Sequence, residues 1–281
     1  MYAEQGPNAS ASRIVLTINV DSVEVIVEGV GPKSIVMIHG WPDTHRLWDA
    51  QVAALKDRYR CVRFTLPGFD LSQPKHAYSL EEVVETIRRV VAETCLGEQV
   101  TLLLHDWGCF FGYQFAMRHP QLVGRVIGVD VGDAGSHRHR AELGAKGMLM
   151  VMAYQLWLAL AWRIGGGIGN AMARWMARVA RCPADPQSIG SQMGYPYAVR
   201  WLGVAGGFRH LMNFDSHGPM LYIYGERKPF MFHSRAWIER LSGRRGCRVL
   251  SLPTGHWVMI GQRREFNDAL LLWLGETEKQ I

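Results

Sequence analysis

Several things are scarce in these 281 residues. The first dozen residues, MYAEQGPNASASR onward, hold no apolar core of a secretion signal, and no later stretch reaches about 18 uninterrupted apolar residues, so neither a cleaved leader nor a membrane span is expected. The nearest approach, 148–162, is broken by Tyr154 and Gln155. Cysteine is sparse: Cys61, Cys95, Cys109, Cys182 and Cys247 are odd in number, far apart and without a C-x-x-C pair. That excludes a disulfide framework and suits free thiols in a reducing compartment, so a cytoplasmic location is expected. Long basic runs are absent as well. The net charge of +6 is dispersed, with nothing denser than His137-Arg138-His139-Arg140, Arg244-Arg245 and Arg263-Arg264, so no nucleic-acid partner is expected. No repeat or low-complexity tract is present, and the chain names no oligomeric state.

What is present is enough apolar side chain, 48% of the total, to bury a large core. Residues 1–12 read as disordered, and 14–30 alternate as an edge strand pair. Buried strands are predicted at 34–38, 61–66, 100–105 and 125–131, with helices between them. Ser79 followed by Glu82 forms a capping box at the head of the helix over 80–96. Strand and helix in alternation imply a mostly parallel sheet flanked by helices, with ligands at the carboxyl ends of its strands. From about 136 to 215 strand signals vanish, and helices broken by Gly165-Gly166-Gly167 and Cys182-Pro183 take over. Sheet character returns at 220–224 and 248–252 before a last helix over 263–274. The expected organisation is an α/β core, 1–135 with 216–281, and a helical cap, 136–215.

The chain is organised around VTLLLHDWGCFFG, residues 100–112. An apolar strand runs into His105-Asp106-Trp107-Gly108 and then into a helix. This is the layout of a nucleophile elbow, with Asp106 at the tip where an esterase would carry serine. Serine needs a base before it can attack, whereas aspartate is ionised at neutral pH and can displace a leaving group at saturated carbon. Cleaving the resulting ester takes a histidine base and oxyanion donors. Taken alone, the motif fits equally an Asp that caps the helix. His39, Trp41, Asp70, Asp130 and His256 also fall just past predicted strands, on the side where a site must form.

Together, HGWPD at 39–43, HDWG at 105–108, a helical segment after the next strand and a late Gly255-His256 resemble the α/β-hydrolase superfamily, within it the epoxide hydrolase and haloalkane dehalogenase branch. The resemblance spans about 13–276. It implies Asp106 as nucleophile, His256 as water-activating base, and the N–H groups of Trp41 and Trp107 as oxyanion hole. Most relatives take the third triad member from the loop after the first post-cap strand, but Gly225-Glu226-Arg227-Lys228 has lysine at the expected position. Some take it from the end of the strand after the elbow helix, which makes Asp130 the expected acid and Glu226 the alternative. Asp130 could pair with both Lys228 and His256. Epoxide opening further implies two cap tyrosines, matched in placement by Tyr154 and Tyr197, with Tyr195 as competitor. His39, Pro42, Trp107, Trp157 and Tyr195 are expected to touch a small apolar electrophile, and water is the second substrate. No cofactor or metal is expected. The alternatives are a haloalkane dehalogenase holding halide on Trp107 with Trp157 or Trp201, and a catalytically silent binding protein.

Overall fold

The computed structural model describes residues 15–95, 97–215 and 218–278. The disorder expected at 1–12 lies outside them. Eight strands form one sheet in the order β1-β2-β4-β3-β5-β6-β7-β8. They are β1 (Val15–Val20), β2 (Val23–Glu28), β3 (Ser34–Ile38), β4 (Arg60–Phe64), β5 (Val100–His105), β6 (Val123–Val129), β7 (Met220–Gly225) and β8 (Arg248–Leu252). β1 and β2 are the expected antiparallel edge pair, joined through Asp21 and Ser22 at φ 49° and 69°, the positive-φ geometry that two-residue hairpins need. From β4 to β8 every pairing is parallel.

Every residue of β3 and β5 is buried, as expected of parallel strands covered on both faces. Their side chains alternate between two cores. Val36, Ile38, Leu102 and Leu104 face a cluster shared with α2 (Leu80–Thr94) and α3 (Trp107–Arg118). Ile35, Met37 and Leu103 face a second cluster closed by α1 (Asp49–Leu55) and the terminal helices. The capping box forms, Ser79 and Glu82 each satisfying the other's backbone N–H.

Between β6 and β7 the named elements of the described chain are all helical: α4 (His137–Ile164), α5 (Gly166–Val179) and α6 (Tyr195–Leu202), with short 3-10 turns between α5 and α6 and after α6. α4 kinks at Gly144, φ 62°, and Gly165 and Gly166, both at positive φ, turn the chain into α5. α4 is long and apolar enough to cross a membrane by length and composition alone, with 17% of its apolar window buried. After β7 follow α7 (Arg235–Ser242), α8 (Val258–Gly261) and α9 (Arg263–Glu278), the last reaching one turn beyond the expected end. β3 has β4 on one side and β5 on the other, so the chain reverses its direction of travel across the sheet there. That switch opens a crevice beyond the carboxyl ends of β3 and β5, where the segments beginning at His39 and Asp106 meet.

Candidate active site

Asp106 sits on the turn between β5 and α3 at φ 52°, ψ −120°, a conformation costly for a non-glycine residue. Two glycines let the neighbouring backbones close on it. A Cβ on Gly40 would lie 2.3 Å from Asp106 Oδ1 and 2.4 Å from Trp107 N, and one on Gly108 would lie 2.3 Å from the Ile38 carbonyl oxygen. The Asp106 side chain makes no capping hydrogen bond to α3. Its Oδ1 instead accepts the Trp41 N–H at 2.7 Å, and the nearby Trp107 N–H also favours the ionised carboxylate. The other oxygen, Oδ2, faces His256 Nε2 at 3.5 Å.

His256 follows β8 and donates from Nδ1 to Asp130 Oδ2 at 2.5 Å. Asp130, just past β6, is fully buried and at φ 65°. Its second oxygen accepts the Gly225 N–H at 2.9 Å and the Lys228 ammonium at 2.5 Å. Lys228 is itself 5% exposed. The lysine at the position where an acid was expected is thus tied to Asp130. Glu226 is exposed at the mouth of the cleft, and His256 Nδ1 is already engaged by Asp130. The His256 ring also lies against His105, centroids 4.5 Å apart.

The charges are strongly coupled. Burial alone would raise the Asp106 carboxyl, but the hydrogen bond and charge of His256, with the Trp107 N–H, hold it below its ordinary value. Burial likewise disfavours the Asp130 carboxylate and is outweighed by Lys228 and His256. For His256, burial opposes the imidazolium, yet Asp130 and then Asp106 raise it to about 9. Burial lowers Lys228, partly offset by Asp130. The resting arrangement is two carboxylates interleaved with two cations.

A cleft of about 1260 Å³ opens over Asp106 and His256, between the helical segment and the loops after β7 and β8. Tyr154, Tyr197 and Trp157 line it, together with Trp41, Trp257 and Phe232. The Tyr197 ring stands edge-on to Trp107, Trp41 and Tyr154 at 5.1, 6.1 and 6.0 Å. Burial raises both phenols, so both stay protonated. Tyr154 Oη accepts from Gln155 at 3.1 Å, which leaves its own proton to donate.

Four expected substrate contacts are corrected. His39 is fully buried beneath the crevice, its Nδ1–H on the Gly40 carbonyl at 3.0 Å and its Nε2 accepting from Leu66 N at 2.9 Å. Burial lowers it to about 4, so it is a neutral brace for two loops. Pro42 is buried and off the cleft lining. Tyr195 is 0% exposed, its ring edge-on to Phe69 and Tyr78. Trp107 offers the site its N–H, while its ring packs on Phe110, Phe111 and Phe208. Asp70, also past a strand end, is exposed and bonds Ser72. The sequence reading missed cleft walls from Trp175 and Val179 of α5 and from Phe230 and Phe232. The α5 pair follows a helical spacing that could have been seen; the loop phenylalanines carry no such signal.

Residues 33–261 match the family described as alpha/beta hydrolase fold. The chain belongs to this family. Epoxide hydrolase 1 of Caenorhabditis elegans is 35% identical over 109 residues, 38% of this chain and 27% of that protein. Cis-3-alkyl-4-alkyloxetan-2-one decarboxylase of Xanthomonas campestris is 33% identical over 102 residues, 33% of this chain and 34% of that protein. The chain therefore matches about a quarter to a third of the length of these relatives. An epoxide hydrolase of Bacillus megaterium shares the fold, with a TM-score of 0.69 at 21% identity over 92% of this chain and 100% of the other.

Proposed function

We propose that this protein is a hydrolase that opens an epoxide to a vicinal diol through an ester on Asp106. The observation that carries the reading is one cleft lined by a carboxylate, a histidine and two protonated tyrosines, the carboxylate holding one oxygen on a backbone N–H. Asp106 Oδ2 attacks an epoxide carbon, and the electron pair of the breaking C–O bond goes to the ring oxygen. Tyr154 and Tyr197 donate to that oxygen as charge develops. Residues 136–215 act as a cap that supplies both phenols, over a core of 1–135 and 216–281.

Ester formation removes the Asp106 charge. His256, until then held protonated by two carboxylates, loses one of them and gives up its proton, which passes by way of the tyrosines to the ring-opened oxygen and leaves it a hydroxyl. His256 then takes a proton from water, whose oxygen attacks the ester carbonyl carbon, while the N–H groups of Trp41 and Trp107 hold the oxyanion. Collapse releases the diol and restores the carboxylate. Asp130, itself braced by Lys228 and Gly225, holds the His256 ring and stabilises the imidazolium.

Halide release fits less well. Two of the indole N–H groups named for holding the ion are occupied: Trp157 donates to the Met172 carbonyl at 3.0 Å and Trp201 to Gln155 at 2.9 Å. All five cysteines are free thiols, which supports a reducing compartment such as the cytoplasm. The test is diol formation from a panel of apolar epoxides, with Tyr154→Phe and Tyr197→Phe each slowing alkylation by about 10²-fold. Unchanged rates in both variants would remove the tyrosines, and halide release from an alkyl halide panel would favour the dehalogenase. Turnover of neither panel would leave a binding protein.

A further inference from the structure

The helical segment between β6 and β7 concentrates net positive charge and exposed apolar side chains. Residues 136–215 carry nine Lys or Arg against three Asp or Glu, so this stretch holds the entire formal charge of +6 and the remainder is balanced. The same stretch leaves apolar side chains in solvent. Along α4, Leu149, Met152, Leu156, Leu160 and Ile164 recur every three or four residues as one exposed stripe, with Leu149 at 60% and Leu160 at 50%. On α5, Ile168, Trp175 and Val179 form a second stripe, with Ile168 at 69%. The two meet where the rings of Trp157 and Trp175 touch, centroids 4.9 Å apart. Both tryptophans, with Met150 and Val179, also line the cleft. The apolar surface is therefore continuous with the walls of the site.

A surface of this extent on a globular protein marks something that covers it. Lys146, Arg163, Arg178 and Arg181 are exposed around the stripes, and none forms an ion pair among the described residues. A second copy of the chain would bring an equal positive charge against them. An anionic lipid surface would bring the opposite charge together with an apolar interior. Exposed Leu and Trp with flanking Lys and Arg are what helices lying in a bilayer interface present. α4 would lie on the membrane and not cross it, because one side is buried through Leu158, Ala159 and Ala161 against its neighbours and its first turns bend away at Gly144.

We propose that the 136–215 segment docks peripherally on an anionic lipid bilayer, with the mouth of the cleft at the interface. Docking stands on the surface alone. Its use, drawing apolar substrate from the lipid, rests on the epoxide reading above.

Flotation of the whole protein with vesicles tests it. Vesicles of phosphatidylcholine with about a third phosphatidylserine should carry the protein, pure phosphatidylcholine should carry far less, and added salt should weaken the binding. Arg163→Glu with Arg178→Glu should lower the anionic partition about twentyfold or more, taking each cation near the surface as about fivefold. Leu156→Glu with Leu160→Glu should abolish it. None of these four residues lines the cleft, so turnover of a dissolved epoxide should survive in both variants and serves as the folding control. Equal partition onto neutral and anionic vesicles, or none onto either, would overturn the proposal. So would a wild-type dimer in sedimentation that Leu156→Glu with Leu160→Glu converts to monomer, which would make the patch a subunit interface. Should turnover fail while flotation is retained, docking stands and the epoxide reading falls.

Discussion

Replacing Asp106 by Asn keeps the shape of the elbow and removes the charge that ester formation would remove. The variant therefore reports what the intermediate does to His256. In the resting protein the imidazolium is held up to about 9 by Asp130 and Asp106 against the cost of burial. With His256 Nε2 and Asp106 Oδ2 3.5 Å apart, a full charge pair at an effective dielectric of about 20 is worth roughly 4–5 kcal/mol. That is about three pH units as an upper bound, since 1.36 kcal/mol corresponds to one. Both side chains are 16% exposed, so solvent takes part of the interaction, and Asp130 keeps its own hold. The His256 pKa is expected to fall by about one to three pH units in Asp106→Asn. The sign follows from removing an anion, which disfavours the protonated form. The assay is an NMR titration of ¹⁵N-labelled histidines, with His256 assigned by its loss in His256→Gln. A His256 that stays near 9 in Asp106→Asn would refute the reasoning, because it would then remain protonated in the ester and could not take a proton from water.

The same array gives further expectations. Asp130→Asn should slow ester hydrolysis and let the intermediate accumulate in single-turnover kinetics, while Glu226→Gln should change little; the reverse pattern would move the acid to the loop after β7. Lys228→Met leaves a buried carboxylate with His256 and the Gly225 N–H alone. It should cost about 2–4 kcal/mol in a denaturant titration. It should also move the acid limb of hydrolysis to higher pH, because an unshared Asp130 charge raises His256. Unchanged stability and an unchanged pH profile would show that the lysine does not brace the acid. The stability that His256 draws from the carboxylates should be fully present below pH 6.5 and fade as pH rises through about 9. A wild-type melting profile that does not weaken over that window, relative to His256→Gln, would contradict the charge assignment.

Much of this was legible because strand ends and turns are local features. An apolar strand, then Asp106, then Gly108 encodes the elbow, and the burial of Val129 beside Asp130 signals an acid under the sheet edge instead of a surface loop residue. The order of the strands brings these positions together, and a mostly parallel sheet with one reversal leaves few places for a crevice. Side-chain direction was less legible. His39 and Pro42 follow a strand that points at the site, yet they turn beneath it to brace the loop. Tyr195 and Tyr197 are two apart on a helix, about 200° around its axis, so only one faces the cleft; both begin α6, and nothing nearby says which. Met148, Met150, Met152 and Trp157 have a spacing shared by packing and pocket residues. In the fold Met150 and Trp157 line the cleft, while Met148 and Met152 face solvent. Phe230 and Phe232 come from a loop without periodicity, and only tertiary structure brings them to the wall.

The central claim is that Asp106 takes the substrate covalently and that His256 is needed only to release it. Intact-protein and peptide mass spectrometry of His256→Gln after incubation with an epoxide tests it most directly. The account predicts a persistent adduct carrying the whole mass of the epoxide, located on Asp106, where wild-type protein shows only a transient species. An adduct on another residue, or none from epoxides or alkyl halides, would contradict it.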